Sequence, residues 1–179
     1  MKERPIIFST ESVRAILDGR KTQTRRAMKP QPSGLIFYLE RLDDAYADVG
    51  RCSFGTPGDR LWVRETWCEG NPAGSIIYKA EEFEEDEGIP WHPSILGIED
   101  RWRSSMSMPR EYSRITLEIT DIRCERIKSI SASDCLAEGY DSIGKYIDEW
   151  NRLNAKRGYD WESNPWVWVI EFKQVKGES

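Results

Sequence analysis

Behind Gly19, the run Arg20-Lys21-Thr22-Gln23-Thr24-Arg25-Arg26 gathers one amine, two hydroxyls and three guanidinium groups within seven residues. Two chemistries suit such a set. Cations at this density hold an anion or a nucleotide. A lysine set beside a threonine can act as the base that turns its hydroxyl into a nucleophile. A solvated basic turn has the same composition, because charged turns are common and mostly inert; spacing alone does not separate the readings. If Lys21–Thr24 runs extended, alternation puts Thr22 and Thr24 on one side and Lys21 and Gln23 on the other. Bringing Lys21 and Thr24 to one pocket then requires a twist or a bulge.

Other catalytic groups are few. The chain has one histidine, His92, between Trp91 and Pro93 in an expected loop, so a Ser-His or Cys-His site would have to use it. Cys52, Cys68, Cys124 and Cys135 form no C-x-x-C pair. A metal site is therefore not expected, nor any cofactor, and the thiols are expected to be reduced packing residues. Trp62, Trp67 and Trp102 are candidates for stacking on bases among nearby arginines. Trp150, Trp166 and Trp168 sit in patterns that suggest core packing.

The elements that must hold these residues can be read from their punctuation. A first strand is expected at Arg4–Phe8. A helix follows over about 10–18, capped by Ser9 or Thr10, with Val13, Ile16 and Leu17 inward and Gly19 at its end. Residues 28–58 are rich in Pro, Gly and Asp and read as a long loop or small insertion. Gly55-Thr56-Pro57-Gly58-Asp59 then turns into a strand over 60–67, in which Leu61, Val63 and Glu65 alternate with Trp62, Arg64 and Thr66. Further strands are expected at 75–78 and 114–120, the latter continuing to Ile122 after a shift at Thr120-Asp121. Ser131 and Asp134 mark a short helix start that Gly139 ends. Ile143–Leu153 has a helical apolar face through Tyr146, Ile147, Trp150 and Leu153, and Trp166–Phe172 is a strand. Strands dominate and the helices are short, which fits a closed or nearly closed β-barrel with helices over its openings.

The chain has 179 residues, enough for one domain with a sizeable core. No apolar run approaches the ~20 residues of a membrane span, and no basic-plus-apolar leader opens the sequence, so a cytoplasmic protein is expected. The net charge of -5 is unevenly spread. Residues 1–30 hold eight Lys/Arg against three Asp/Glu, while 79–100 hold one against eight, six of these within Glu81–Glu87. Local nucleic-acid contact is compatible with this; strong duplex DNA binding is not expected.

Four segments in order resemble the ASCH domain family, whose fold is a PUA-like barrel. They are Ile16–Arg26, Pro57–Val63, Ile130–Gly139 and Val169–Phe172. With Arg64-Glu65-Thr66-Trp67 and Asn164–Phe172, the whole chain resembles the longer ASCH proteins of bacteriophages and prophages. The resemblance implies one domain over 1–179, with insertions at about 27–54 and 68–112. A partial match to small N4-acetylcytidine amidohydrolases of this family implies catalytic roles for Lys21, Thr24 and Glu138. With it, Thr22, Arg25, Arg26 and Trp62 become candidate substrate-binding residues. In that chemistry neutral Lys21 takes the Thr24 proton, Thr24 attacks the amide carbonyl and Glu138 passes the proton to the leaving nitrogen. The chain is much longer than those enzymes, and its insertions have no counterpart there. A non-catalytic module that binds a nucleoside or RNA, or a ribonuclease using the same basic cluster, remains open at this stage.

Overall fold

The computed structural model describes residues 1–32, 52–69, 75–81 and 102–175. The apolar run at 35–39, the acidic run beyond Glu81 and His92 lie outside them. The elements are β1 (Glu3–Ile7), α1 (Thr10–Leu17), β2 (Gln23–Ala27), β3 (Arg60–Arg64), β4 (Trp67–Glu69), β5 (Ile76–Tyr78), β6 (Thr116–Arg126), α2 (Ala132–Ala137), α3 (Ile143–Asn154) and β7 (Trp166–Gln174). The molecule is mixed α/β and mainly sheet.

Five strands form one sheet in the order β1-β3-β6-β7-β2, and β4 and β5 form a separate two-stranded ribbon. Only the β1–β3 pair is parallel; the other pairs of the large sheet are antiparallel. The order leaves β1 and β2 as edges, so the described pairings do not close a barrel. The two edges nevertheless approach one another: Arg26 on β2 donates through Nη2 to the Ile7 carbonyl at the end of β1, at 2.7 Å.

β7 is the strand on which the fold turns. Val167 and Val169 face a smaller apolar cluster with Cys135, Tyr146 and Trp150, so α2 and α3 cover that side. Trp168, Ile170 and Phe172 face the larger cluster with Ile6, Val13 and Leu61, where α1 packs. Both faces of this run are dry, which explains why it reads as continuous apolar sequence.

Several details depart from the sequence expectation. In α1 it is Ala15 that joins Val13 and Ile16 in the interior, while Leu17 is 42% exposed. The strand from Arg60 breaks after Arg64, although Glu65 keeps the inward phase and is buried. There its carboxylate receives two hydrogen bonds from Arg114, at 3.0 and 3.1 Å. Trp67 is buried, and Trp62 is flanked by the guanidinium groups of Arg64 and Arg110. β6 runs on to Arg126, with its irregularity between Ile119 and Asp121, where the sequence placed a shift.

Candidate active site

Ser9 caps α1, and Gly19, at φ +73°, turns the chain out of it. The amides of Arg20 and Lys21 both donate to the Ala15 carbonyl at 2.9 Å. The Thr22 amide then donates to the Ala137 carbonyl at the end of α2, and the Thr22 carbonyl accepts from Phe172. Lys21 therefore precedes β2 in a fixed turn, so strand alternation does not govern it.

From Gln23 onward alternation does apply. Thr24 lies opposite Ile170 and Arg26 opposite Trp168; Arg25 lies opposite Val169. Cross-strand partners share a face, so Thr24 and Arg26 belong to the α1 side and Arg25 to the α2–α3 side. Because β2 is an edge, side chains from both faces reach the space beyond it.

Glu138 arrives from the other direction. The Ser131–Asp134 capping box starts α2, Glu138 is its C-cap, and Gly139 follows at φ +91°. A Cβ on Gly139 would lie 3.0 Å from the Ala15 Cβ and 3.4 Å from the Lys21 Cβ. Only glycine lets the end of α2 sit this close to Lys21. Gly139→Ala is expected to cost at least about 1–2 kcal/mol from the left-handed backbone alone, with the contact to Ala15 added. Thermal melts check this; an unchanged midpoint would show that α2 docks without the close approach.

The result is a buried ionic network. Lys21 Nζ donates to Glu138 Oε2 and to the Glu138 carbonyl, both at 2.8 Å. Arg25 bonds Glu138 Oε1 at 3.2 Å and also pairs with Glu125 and Asp134. Lys21, Arg25 and Glu138 are each 4% exposed or less. Burial lowers the Lys21 pKa below its ordinary value of 10.5; the Glu138 carboxylate opposes this, and Arg26 and Arg25 reinforce it. For Asp134, burial pushes upward, but hydrogen bonds from Ser131 and the charge of Arg25 outweigh it and hold the carboxyl at about 2.

Beside this network lies a cavity of about 270 Å³ lined by Lys21, Thr24, Arg25, Arg26 and Glu138. Small-molecule pockets run from about 300 to 1,000 Å³, so this one suits a compact ligand. Phe8, Tyr140, Tyr146 and Trp150 supply aromatic lining. Two polar groups of the lining lack a partner among the described residues: the buried Tyr146 hydroxyl and Arg26 Nε. No hydrogen bond to the Thr24 hydroxyl is found among the described residues, and Lys21 Nζ is bonded to Glu138, not to Thr24.

Five of the expected residues thus meet in one cavity, Lys21, Thr24, Arg26 and Glu138 with Arg25. The Arg25 donors, however, are directed at three carboxylates. Thr22 is exposed and outside the lining; it precedes β2, in the turn held by the Ala137 carbonyl. Trp62 lies on β3, also outside it, stacked between protein cations. Sequence reasoning put Tyr146 and Trp150 in the core, which is correct, yet it missed that the same side chains wall the cavity. Helical spacing reveals an inward face but not the void at its end.

These features define a mixed α/β protein, mainly β, with a small cavity at a sheet edge and a buried Lys-Glu-Arg network in its wall. No family model matches the chain, and no curated protein matches it. Among solved structures it is similar to the ASCH domain from Lactobacillus crispatus JV V101, at 11% identity and a TM-score of 0.49, over 97% of this chain and 79% of that one. It is also similar to protein EF3133 from Enterococcus faecalis V583, at 9% identity and a TM-score of 0.46, over 98% of this chain and 81% of that one. No helix of the described residues is long and apolar enough to cross a membrane.

Proposed function

We propose that this is an ASCH-type protein whose sheet-edge cavity binds a nucleoside and hydrolyses the amide of an N4-acylated cytidine. The four sequence segments that resemble the family support the assignment, and the approach of β1 to β2 suits a PUA-like barrel. One observation carries the reaction: Lys21, Thr24 and Glu138, from two distant segments, line one cavity, and the Thr24 hydroxyl has no hydrogen-bond partner among the described residues.

The steps follow from the groups present. Neutral Lys21 takes the Thr24 proton as Oγ1 bonds to the acyl carbon. The carbon–nitrogen bond breaks, and the exocyclic nitrogen leaves as an amine with a proton relayed through Glu138. Water then cleaves the acyl-threonine ester, releases the acid and restores the hydroxyl. Arg26 and the Tyr146 hydroxyl hold the substrate, while Arg25 positions Glu138.

A base must be deprotonated, and burial lowers the Lys21 pKa below 10.5. The rate is therefore expected to rise with pH and to level off at a midpoint below 10.5. A rate with no deprotonation step anywhere below 10.5 would remove Lys21 as the base.

The second reading is a non-catalytic RNA-binding module. The observation in its favour is that Lys21 is bonded to Glu138 and not to Thr24. Incubation with N4-acetylcytidine and with cytidine, followed by chromatography, distinguishes them: cytidine and acetate appear only if the first reading holds.

A further inference from the structure

A second cavity, of about 260 Å³, adjoins the first. The two share Arg26, Asn154 and Arg157. Arg26 is the partition: its guanidinium lies 5.1 Å from the Phe8 ring, which lines the first cavity, and 5.9 Å from the Phe54 ring, which lines the second. Of its five N–H donors, one meets the Ile7 carbonyl, while Nε is buried without a partner.

The second cavity differs in charge. Arg26, Lys29 and Arg157 line it, and among the described residues no carboxylate does. Arginines elsewhere mostly have acids to meet, as Arg25, Arg114 and Arg123 do. Lys29 lies over the Tyr159 ring at 5.5 Å instead, and neither it nor Arg157 has an ion pair among the described residues. Three cations, one with an unsatisfied buried donor, converge on a void that borders the first cavity across Arg26.

We infer that the second cavity takes a phosphate group attached to the nucleoside held in the first, so that the preferred ligand is a nucleotide. This rests on the nucleoside reading of the first cavity for what the phosphate is attached to; the anion site itself does not. Arg26 spans both parts of the ligand. Lys29 contacts only the phosphate side, where Phe54 also lines the cavity.

Calorimetric titration with cytidine, cytidine 5′-monophosphate, cytidine 3′-monophosphate, a short oligoribonucleotide and inorganic phosphate tests this. At least one phosphorylated ligand is expected to bind about tenfold or more tighter than cytidine, the factor that ~1.4 kcal/mol of charge-assisted bonding supplies. The advantage is expected to shrink as salt rises. Lys29→Gln is expected to remove most of it and leave cytidine binding unchanged. A monophosphate that gains the full advantage identifies a mononucleotide ligand; a gain confined to the oligoribonucleotide identifies a chain phosphate.

Equal affinities for cytidine and every phosphorylated form would overturn the inference and leave the nucleoside reading standing. Phosphate binding that Lys29→Gln abolishes, with no cytidine binding at all, would sink the nucleoside reading and keep the anion site. A nucleotide advantage that survives Lys29→Gln intact would place the phosphate elsewhere and refute the assignment.

Discussion

Thr24→Ala is expected to lower acetate release from N4-acetylcytidine by about 1,000-fold or more, the scale seen when a nucleophile is removed. The fold should survive, because the hydroxyl bonds to nothing else described and the lost methyl is worth only about 1 kcal/mol. Thr24→Ser keeps a hydroxyl and should retain part of the turnover. Lys21→Arg keeps the charge yet should fail, since a guanidinium does not give up its proton near neutral pH. Chromatographic assay of the three variants, each with its melting curve, checks this set. Full activity in Thr24→Ala would rule out the nucleophile. An inactive wild type whose RNA binding disappears on replacing Arg26 would instead establish the binding module.

Ile170→Ala should be strongly destabilising, at about 2–5 kcal/mol and a fall in Tm of about 4–20 °C. Ile170 is fully buried in the larger cluster, and its strand is hydrogen-bonded on both sides. Val169→Ala should also destabilise, by less, because valine leaves a smaller void; it is fully buried in the other cluster. The pair of melts is therefore a test of two-sided burial. A midpoint unchanged in either variant would mean that the corresponding face is peripheral.

Local rules were legible where local chemistry decides them. The Ser131–Asp134 box, the Gly19 and Gly139 stops and the apolar run at Trp166 all announce themselves, because caps, left-handed turns and buried strands have narrow residue requirements. The meeting of Lys21 with Glu138 was legible only through resemblance, since 117 residues separate them. Spacing alone pointed the other way: it set Lys21 and Thr24 on opposite sides of a strand. The outcome depends on where that strand begins, which the Ala15 and Ala137 carbonyls decide from outside it. Leu17 was misjudged for a related reason. A short helix has few turns, and a small residue such as Ala15 can hold the inward position. Trp62 and Thr22 look available in sequence, but the sheet partners of Trp62 and the turn before β2 that holds Thr22 determine where they face.

The two bonds from Lys21 to Glu138 have a stereochemical consequence. An ammonium carries three protons; a neutral amine carries two and a lone pair. Both acceptors offered to Nζ, the carbonyl and the carboxylate oxygen of Glu138, stand at 2.8 Å. They match the two N–H bonds that survive proton loss. At a tetrahedral nitrogen the lone pair then occupies the remaining direction, away from Glu138. Charged and neutral lysine can thus share one rotamer and one pair of acceptors, and the side chain can change its protonation state without changing its place.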